Sequence, residues 1–256
     1  MDFIFLFLLW CLSAWFSHLK VFKILSLVAT LEVLAFLATH LLGIKNSGLI
    51  QGFLGGFISS TAVFLKLSAS TQSSVFNIVP AFLLASFSMS CECLLITYML
   101  FGVSALNMQN PVLVLCLIHV FSILILLIFT KKNVRFEPIL NYPERPIVWK
   151  NVLKLSLIII ALYLLMHGLG SAFEGSKKTG MFLISFFEAH AVMAASLNEV
   201  ILNSIEYRDY IFLILFGNAI SKSFIALRSK SKLVRIAVVV FMLGSVALTK
   251  LFFTFC

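Results

Sequence analysis

The stretch Gly55-Gly56-Phe57-Ile58-Ser59-Ser60-Thr61-Ala62 decides how this chain is read. It sets two glycines and three hydroxyls inside an apolar run, residues 48–67, of the length of about 20 residues that crosses a bilayer as a helix. Polar groups facing hydrocarbon cost free energy and are kept where they serve a function. A weaker echo follows 129 residues later in Ser185-Phe186-Phe187-Glu188-Ala189-His190-Ala191, with Glu188 in the place of Ser59 and His190 in that of Thr61. Polar positions that match in two halves of a membrane chain point to a duplicated fold with one central site.

Composition supports a membrane setting throughout. The 256 residues are 61% hydrophobic and only 11% charged, with a mean hydropathy of +1.10, against about 25% charged in a soluble domain. The apolar runs are long and do not alternate, which excludes a barrel. The net charge of +9 sits in short loops, where Lys and Arg set topology. The expected surroundings are therefore the lipid bilayer and not a nucleic acid. Cys11, Cys91, Cys93, Cys116 and Cys256 form no Cys-x-x-Cys pair, so they read as reduced thiols behaving as small hydrophobes. No metal site and no cofactor is expected. The N-terminus lacks a basic leader and a cleavage site and reads as a retained first span.

Nine spans can be drawn, at 3–17, 22–42, 48–67, 75–101, 111–130, 151–170, 180–203, 210–227 and 234–255. Turns are expected at Gly43–Gly48, Ser68–Ser74, Asn107–Pro111, Glu174–Lys178 and Arg228–Arg235. Pro138, Pro143 and Pro146 keep the polar linker 131–150 from being a continuous helix. The expected fold is an all-α polytopic membrane protein of about nine transmembrane helices. Residues 1–20 supply an extra N-terminal helix, 21–130 a first repeat of four helices and 151–256 a second. Four spans per repeat imply two halves of the same orientation, a parallel repeat. The rule that basic loops stay inside places Lys20, Lys23 and the linker in the cytoplasm, with the N-terminus out and the C-terminus in. Arg228, Lys230, Lys232 and Arg235 then face outside, against the same rule.

The segment Gly48-Leu49-Ile50-Gln51-Gly52-Phe53-Leu54-Gly55-Gly56-Phe57-Ile58-Ser59-Ser60-Thr61-Ala62-Val63 resembles the Gly-Gly-x-x-Ser-Ser-Thr-Ala signature of a bacterial membrane family. That family is the domain of unknown function 4010, often fused behind an MgtC/SapB-type domain. Ala85-Ser86 and Gly217-Asn218 with Lys222 are similar to its small-polar helix and its Asn-x-x-x-Lys helix, so the resemblance runs over residues 20–250. The second motif departs from the family's Gly-x-x-Asp-x-Asp-Ala by carrying Glu188 and His190, and Glu92 stands where the family tends to have Arg. The resemblance implies a multi-pass protein of the bacterial inner membrane and a set of site residues. It implies no reaction.

Each residue of a helix advances 100°, so residues two apart point about 200° away from each other. Ser59 and Thr61, or Glu188 and His190, can face one cavity only where the helix is unwound. Gly55 and Gly56 favour such a break in the first motif, and Ser185 makes it less expected in the second. The plainer alternative has the hydroxyls bonded back to their own helix. Asn218 and Lys222 share a helical face, and Lys222 either snorkels to the interface or pairs with Glu188 or Glu92. Gly52 and Gly56 form a small-residue step suited to close packing, and such faces would admit a homodimer or a membrane protein partner. His40, His119 and His167 read as structural. The candidate ligand- or ion-binding set is thus Ser59, Ser60, Thr61, Glu92, Glu188, His190, Asn218 and Lys222. No motif of a soluble-type enzyme is present, and no enzymatic activity is expected. The expected function is a transporter or channel-like carrier of a small ion or solute. The alternative is a regulatory membrane protein that binds another membrane complex.

Overall fold

The structure, a computed structural model, describes residues 2–15, 20–41, 48–69, 75–129, 174–186 and 205–255, with Leu157, Ala189, Val192 and Met193. The described residues are helical and contain no strand. In chain order the helices are α1 (Asp2–Trp15), α2 (Lys20–Leu41), α3 (Gly48–Ala69), α4 (Val75–Phe101), α5 (Pro111–Phe129), α6 (Glu174–Ser185), α7 (Ile205–Ala226) and α8 (Lys232–Phe255), with a short 3-10 turn at Gly102–Leu106. Three stretches, Ile78–Leu106, Ile205–Ala226 and Lys232–Phe255, are long and apolar enough to cross a membrane. Shorter apolar helices stand beside them at Leu6–Trp15, Ser26–Ala38 and Pro111–Leu126. The protein is therefore a helical membrane protein. The expected span 151–170 and the linker 131–150 lie outside the described residues, apart from Leu157.

Two sequence expectations are corrected. Glu174–Lys178 is not a turn but the first part of α6. Helix starts tolerate polar residues, and an acid in the first turn complements the helix dipole. Ser185 does not carry a helix onward: α6 ends there, and Phe186 closes a turn by donating its N–H to the Leu183 carbonyl at 3.4 Å.

α4 is the central helix and packs against α2, α3, α5 and α8. Its length is closed off by Gly102, whose φ of 64° is the left-handed conformation typical after a helix end. Asn110 then starts α5. Its Oδ1 accepts the Val112 N–H at 3.0 Å, and Pro111 occupies the first helical position, where no donor is lost. The same oxygen accepts the Tyr207 hydroxyl at 2.9 Å, while Asn110 Nδ2 donates to the Ala105 carbonyl at 2.8 Å. One fully buried side chain thus caps α5 and ties it to the start of α7. Asn110→Ala removes a cap worth about 1 kcal/mol and, with it, the Tyr207–Asn110 hydrogen bond, a net loss of about 1 kcal/mol more. Thermal unfolding in detergent is expected to fall accordingly, and by more than for Tyr207→Phe. Equal shifts in the two variants would refute the shared role.

α3 is not one straight span. Its backbone leaves helical geometry at Ser59, with φ −169° and ψ 100°. The first limb, 48–58, runs parallel to α4. A Cβ on Gly52 would lie 2.6 Å from the Ala81 carbonyl oxygen, and one on Gly56 would lie 2.8 Å from Ala85 Cα. Four residues along α3 match four along α4 in the same direction. The second limb, 60–69, runs back, since Phe64 meets Phe82 with ring centroids 4.6 Å apart. Eight residues of unbroken helix would have carried Phe64 about 12 Å past Gly56 in the other direction. The short connection 70–74 fits this course, because a chain reaches at most ~3.5 Å per residue and could not return along a full-length parallel helix.

α6 is likewise parallel to α7, the next described helix. Lys178 Nζ stands 5.9 Å from the Tyr210 ring, Phe182 stacks on Phe216 at 6.2 Å, and the Ser185 carbonyl accepts from Asn218 Nδ2 at 3.4 Å. α4 and α7 run antiparallel. Phe101 meets Tyr207 at 5.7 Å between centroids, and Met89 meets Lys222 at the other end. This orientation is the opposite of the one expected for equivalent helices of a parallel repeat.

Candidate functional site

The break in α3 falls within its hydroxyl motif. Ser59 takes the extended conformation of an N-cap, and its Oγ accepts the Ala62 N–H at 3.3 Å. The hydroxyl therefore caps the second limb and is not a free ligand. Ser60 and Thr61 are half-buried and open that limb. The first N–H groups of a helix lack intrahelical partners and carry partial positive charge. The first motif does contain a break of the kind Gly55 and Gly56 favour, and it falls at Ser59 alone. Close contact with α4 accounts for the glycines just before it: a side chain on Gly56 would strike Ala85 and Ser88.

Lys222 lies opposite, 1% exposed. It does not snorkel. Its Nζ sits 2.9 Å from Met89 Sδ and 5.1 Å from the centroid of Phe64, which belongs to the returning limb of α3. An ammonium over an aromatic face gains about 0.5–2 kcal/mol, more when desolvated. Asn218, one turn earlier on α7, is buried and donates to the Ser185 carbonyl where α6 ends. Its Oδ1 is buried without a hydrogen bond among the described residues. Glu92 is buried on α4 at 2% exposure. Met89, which Lys222 Nζ touches, stands one turn before Glu92 on α4, so acid and lysine belong to one neighbourhood. Ser59, Ser60, Thr61, Glu92, Asn218 and Lys222 are thus placed on the three helices α3, α4 and α7. Glu188 and His190 lie outside the described residues. Ala189, Val192 and Met193, their neighbours in sequence, are buried in the core.

A family model described as "Domain of unknown function (DUF4010)" matches residues 27–230. The chain belongs to this family. No curated protein and no solved structure matches it. The DUF4010 match runs from within α2 to just past α7, so it takes in every candidate site residue and leaves out α1 and α8.

The structure of this DUF4010 chain brings residues outside the candidate set to the polar interior. His119 on α5 is buried at 2% exposure and shares a hydrogen bond of 3.0 Å between its Nδ1 and Ser90 Oγ. Its ring lies 5.1 Å from that of Phe241, and Lys222 acts on it electrostatically. It bridges α5 to α4 through Ser90, a structural role in keeping with its sequence reading. Met89 and Phe64 receive the lysine head. Thioether and ring look apolar in sequence, and no spacing rule marks them as partners of a cation. Ser86, Ser90 and Thr97 bond back to carbonyls one turn earlier along α4, the plainer role weighed for membrane hydroxyls. Ser86 also donates to Met242 Sδ at 3.2 Å, joining α4 to α8.

Proposed function

We propose that this DUF4010 protein is a multi-pass protein of the bacterial cell membrane that carries a small ion or solute through a site near the bilayer midplane. One observation carries the reading: α3 is interrupted inside its hydroxyl motif and folds back beside a lysine that is 1% exposed. Lipid tolerates interrupted helices only where the freed backbone is sheltered by protein or lines a water-filled cavity. Buried charge at that depth marks ion and substrate paths. Ser60, Thr61 and the backbone N–H groups of the returning limb form one wall of the site, and Asn218 and Lys222 the facing one. Glu92 supplies the opposite charge, with Glu188 and His190 acting as further binding or proton-relaying groups.

A duplicated fold supports the same reading. In the first half Phe53 and Phe57 meet edge-on at 5.1 Å and 85°, and Phe53 stacks on Phe87 at 5.9 Å and 24°. In the second half Phe182 and Phe186 meet edge-on at 5.1 Å and 89°, and Phe182 stacks on Phe216 at 6.2 Å and 29°. All three positions are displaced by the same 129 residues. That displacement also carries Gly56 and Ser88 onto Ser185 and Gly217, an interhelix contact in which glycine and serine have changed places. The two halves are then one unit repeated within 21–130 and 151–256. Because α4 and α7 run antiparallel, the repeat is inverted, the arrangement found in many carriers.

The test is flux of a panel of ions and small acids into proteoliposomes. Wild type is expected to move at least one, and Glu188→Gln to abolish that movement while folding normally. Equal flux in the variant would remove Glu188 from the site. A protein inert toward the whole panel would shift the reading to the regulatory alternative, to be pursued by co-purification of a membrane partner.

A further inference from the structure

We infer that α3 is a re-entrant hairpin, and that the segment from Glu174 to Ile205 likewise begins and ends on one face, the opposite one, with α3 and α6 reaching inward to the level of Lys222. This deepens the carrier reading by fixing the face from which each half of the site is built. It rests on the duplication argued above.

Length is the first argument. The limbs of α3 hold 11 and 10 residues on either side of Ser59, about 16 and 15 Å at 1.5 Å per residue. Each reaches the middle of a hydrocarbon layer ~30 Å thick and no further. α6, with 12 residues, ends at a comparable depth. Direction is the second argument. α3 enters beside the start of α4 and returns to it, as the pairs Gly52–Ala81, Gly56–Ala85 and Phe64–Phe82 require. α6 advances beside α7 from Lys178–Tyr210 to Ser185–Asn218. The chain must then come back to Ile205, at the end from which α6 set out. Since α4 and α7 are antiparallel, the two segments enter from opposite faces. The break in α3 and the end of α6 lie level with Met89 on α4 and with Asn218 on α7, and Lys222 joins these two levels through its 2.9 Å contact with Met89.

Charge is the third and independent argument. With each of the two segments beginning and ending on one face, the loop Arg228–Arg235 falls on the same face as the linker 131–150. The conflict left by nine crossings disappears. That face gathers Lys45, Lys66, the six basic residues of 131–154 and the four of 228–235, twelve of the 19 Lys and Arg in the chain. The opposite face holds six, namely Lys20, Lys23, Lys177, Lys178, Arg208 and Lys250, and Lys222 is interior. The twelve mark the cytoplasmic side. The N-terminus is then inside and the C-terminus outside.

Sidedness of single cysteines decides the matter without reference to flux. Asn46→Cys and Ser73→Cys flank α3. Asn141→Cys and Ser231→Cys stand in the linker and in the loop before α8. Each variant is treated with a membrane-impermeant maleimide in intact cells and in inverted vesicles, with labelling of the native thiols subtracted. Both pairs are expected to react from one face, the cytoplasmic one. A split between Asn46→Cys and Ser73→Cys means that α3 crosses, and a split between Asn141→Cys and Ser231→Cys means that the α6 segment crosses. Either overturns the inference. Protease sites inserted at the same positions give the same answer where a cysteine variant fails to fold. Concordant pairs in a protein that moves no solute would uphold this course of the chain and sink only the carrier.

Discussion

Lys222→Met is expected to reduce flux at least about a hundredfold, a barrier change of about 3 kcal/mol, while the protein still unfolds in one sharp thermal transition. The lysine stem already lies in an apolar setting between Met89 and Phe64. Methionine is unbranched and only one heavy atom shorter, so the space is nearly filled with little strain. An acid facing the lost ammonium can take up a proton instead of remaining charged in a poor solvent. What the variant lacks is the buried ammonium held against Phe64 on the returning limb of α3. Flux and thermal unfolding are to be measured on the same preparation. Full flux with a cooperative transition would reduce Lys222 to a core residue and remove the positive wall of the site.

The second large effect concerns packing. Gly56→Ala is expected to lower the unfolding temperature by several degrees, whereas Gly244→Ala should raise it slightly. At Gly56 a Cβ would lie 2.8 and 2.9 Å from backbone atoms of Ala85 and would also strike Ser88. Backbone cannot rotate aside, so α3 and α4 must part. Overpacking of this kind costs about 1–3 kcal/mol, and each kcal/mol is worth about 2–4 °C in a protein of this size. At Gly244, inside α8, nothing lies within 4 Å of the added atom, and alanine in a helix interior gains about 0.5–1 kcal/mol over glycine. Opposite signs for two chemically identical changes separate close approach from helix propensity. Shifts of the same sign would contradict the α3–α4 contact.

Most of the described helices were legible from hydropathy, though not α6 or the first residues of α7. Expected spans at 48–67, 75–101, 111–130 and 234–255 fall within two residues of α3, α4, α5 and α8 at each end. The course of α3 was not. A run of 22 mostly apolar residues satisfies the length of a crossing whether it is straight or doubled at Ser59, and only its neighbours on α4 distinguish the two. Gly55, Gly56 and the hydroxyls signalled a break without its direction. The fate of Lys222 was undecided for a similar reason. Four residues from the end of a span, a lysine can reach water or turn inward, and the ring of Phe64, more than 150 positions away in sequence, decides. The aromatic triads were invisible because phenylalanine is abundant here, with 27 in the chain. A shared spacing of three of them gains meaning only when the ring angles also agree.

The bond between Tyr207 and Asn110 has a mechanical consequence. It pins one end of α7 to the cap of α5, deep in the protein and at the end of the helix away from Lys222. Fifteen residues separate Tyr207 from Lys222, about 22 Å of rigid rod at 1.5 Å per residue. With the phenol as fulcrum, a tilt of only about 10° swings the lysine head by about 4 Å at that rise per residue, enough to carry it off Met89. α7 is thus a lever with its pivot at Tyr207 and its working end at Lys222, where a small rotation becomes a displacement of several ångströms.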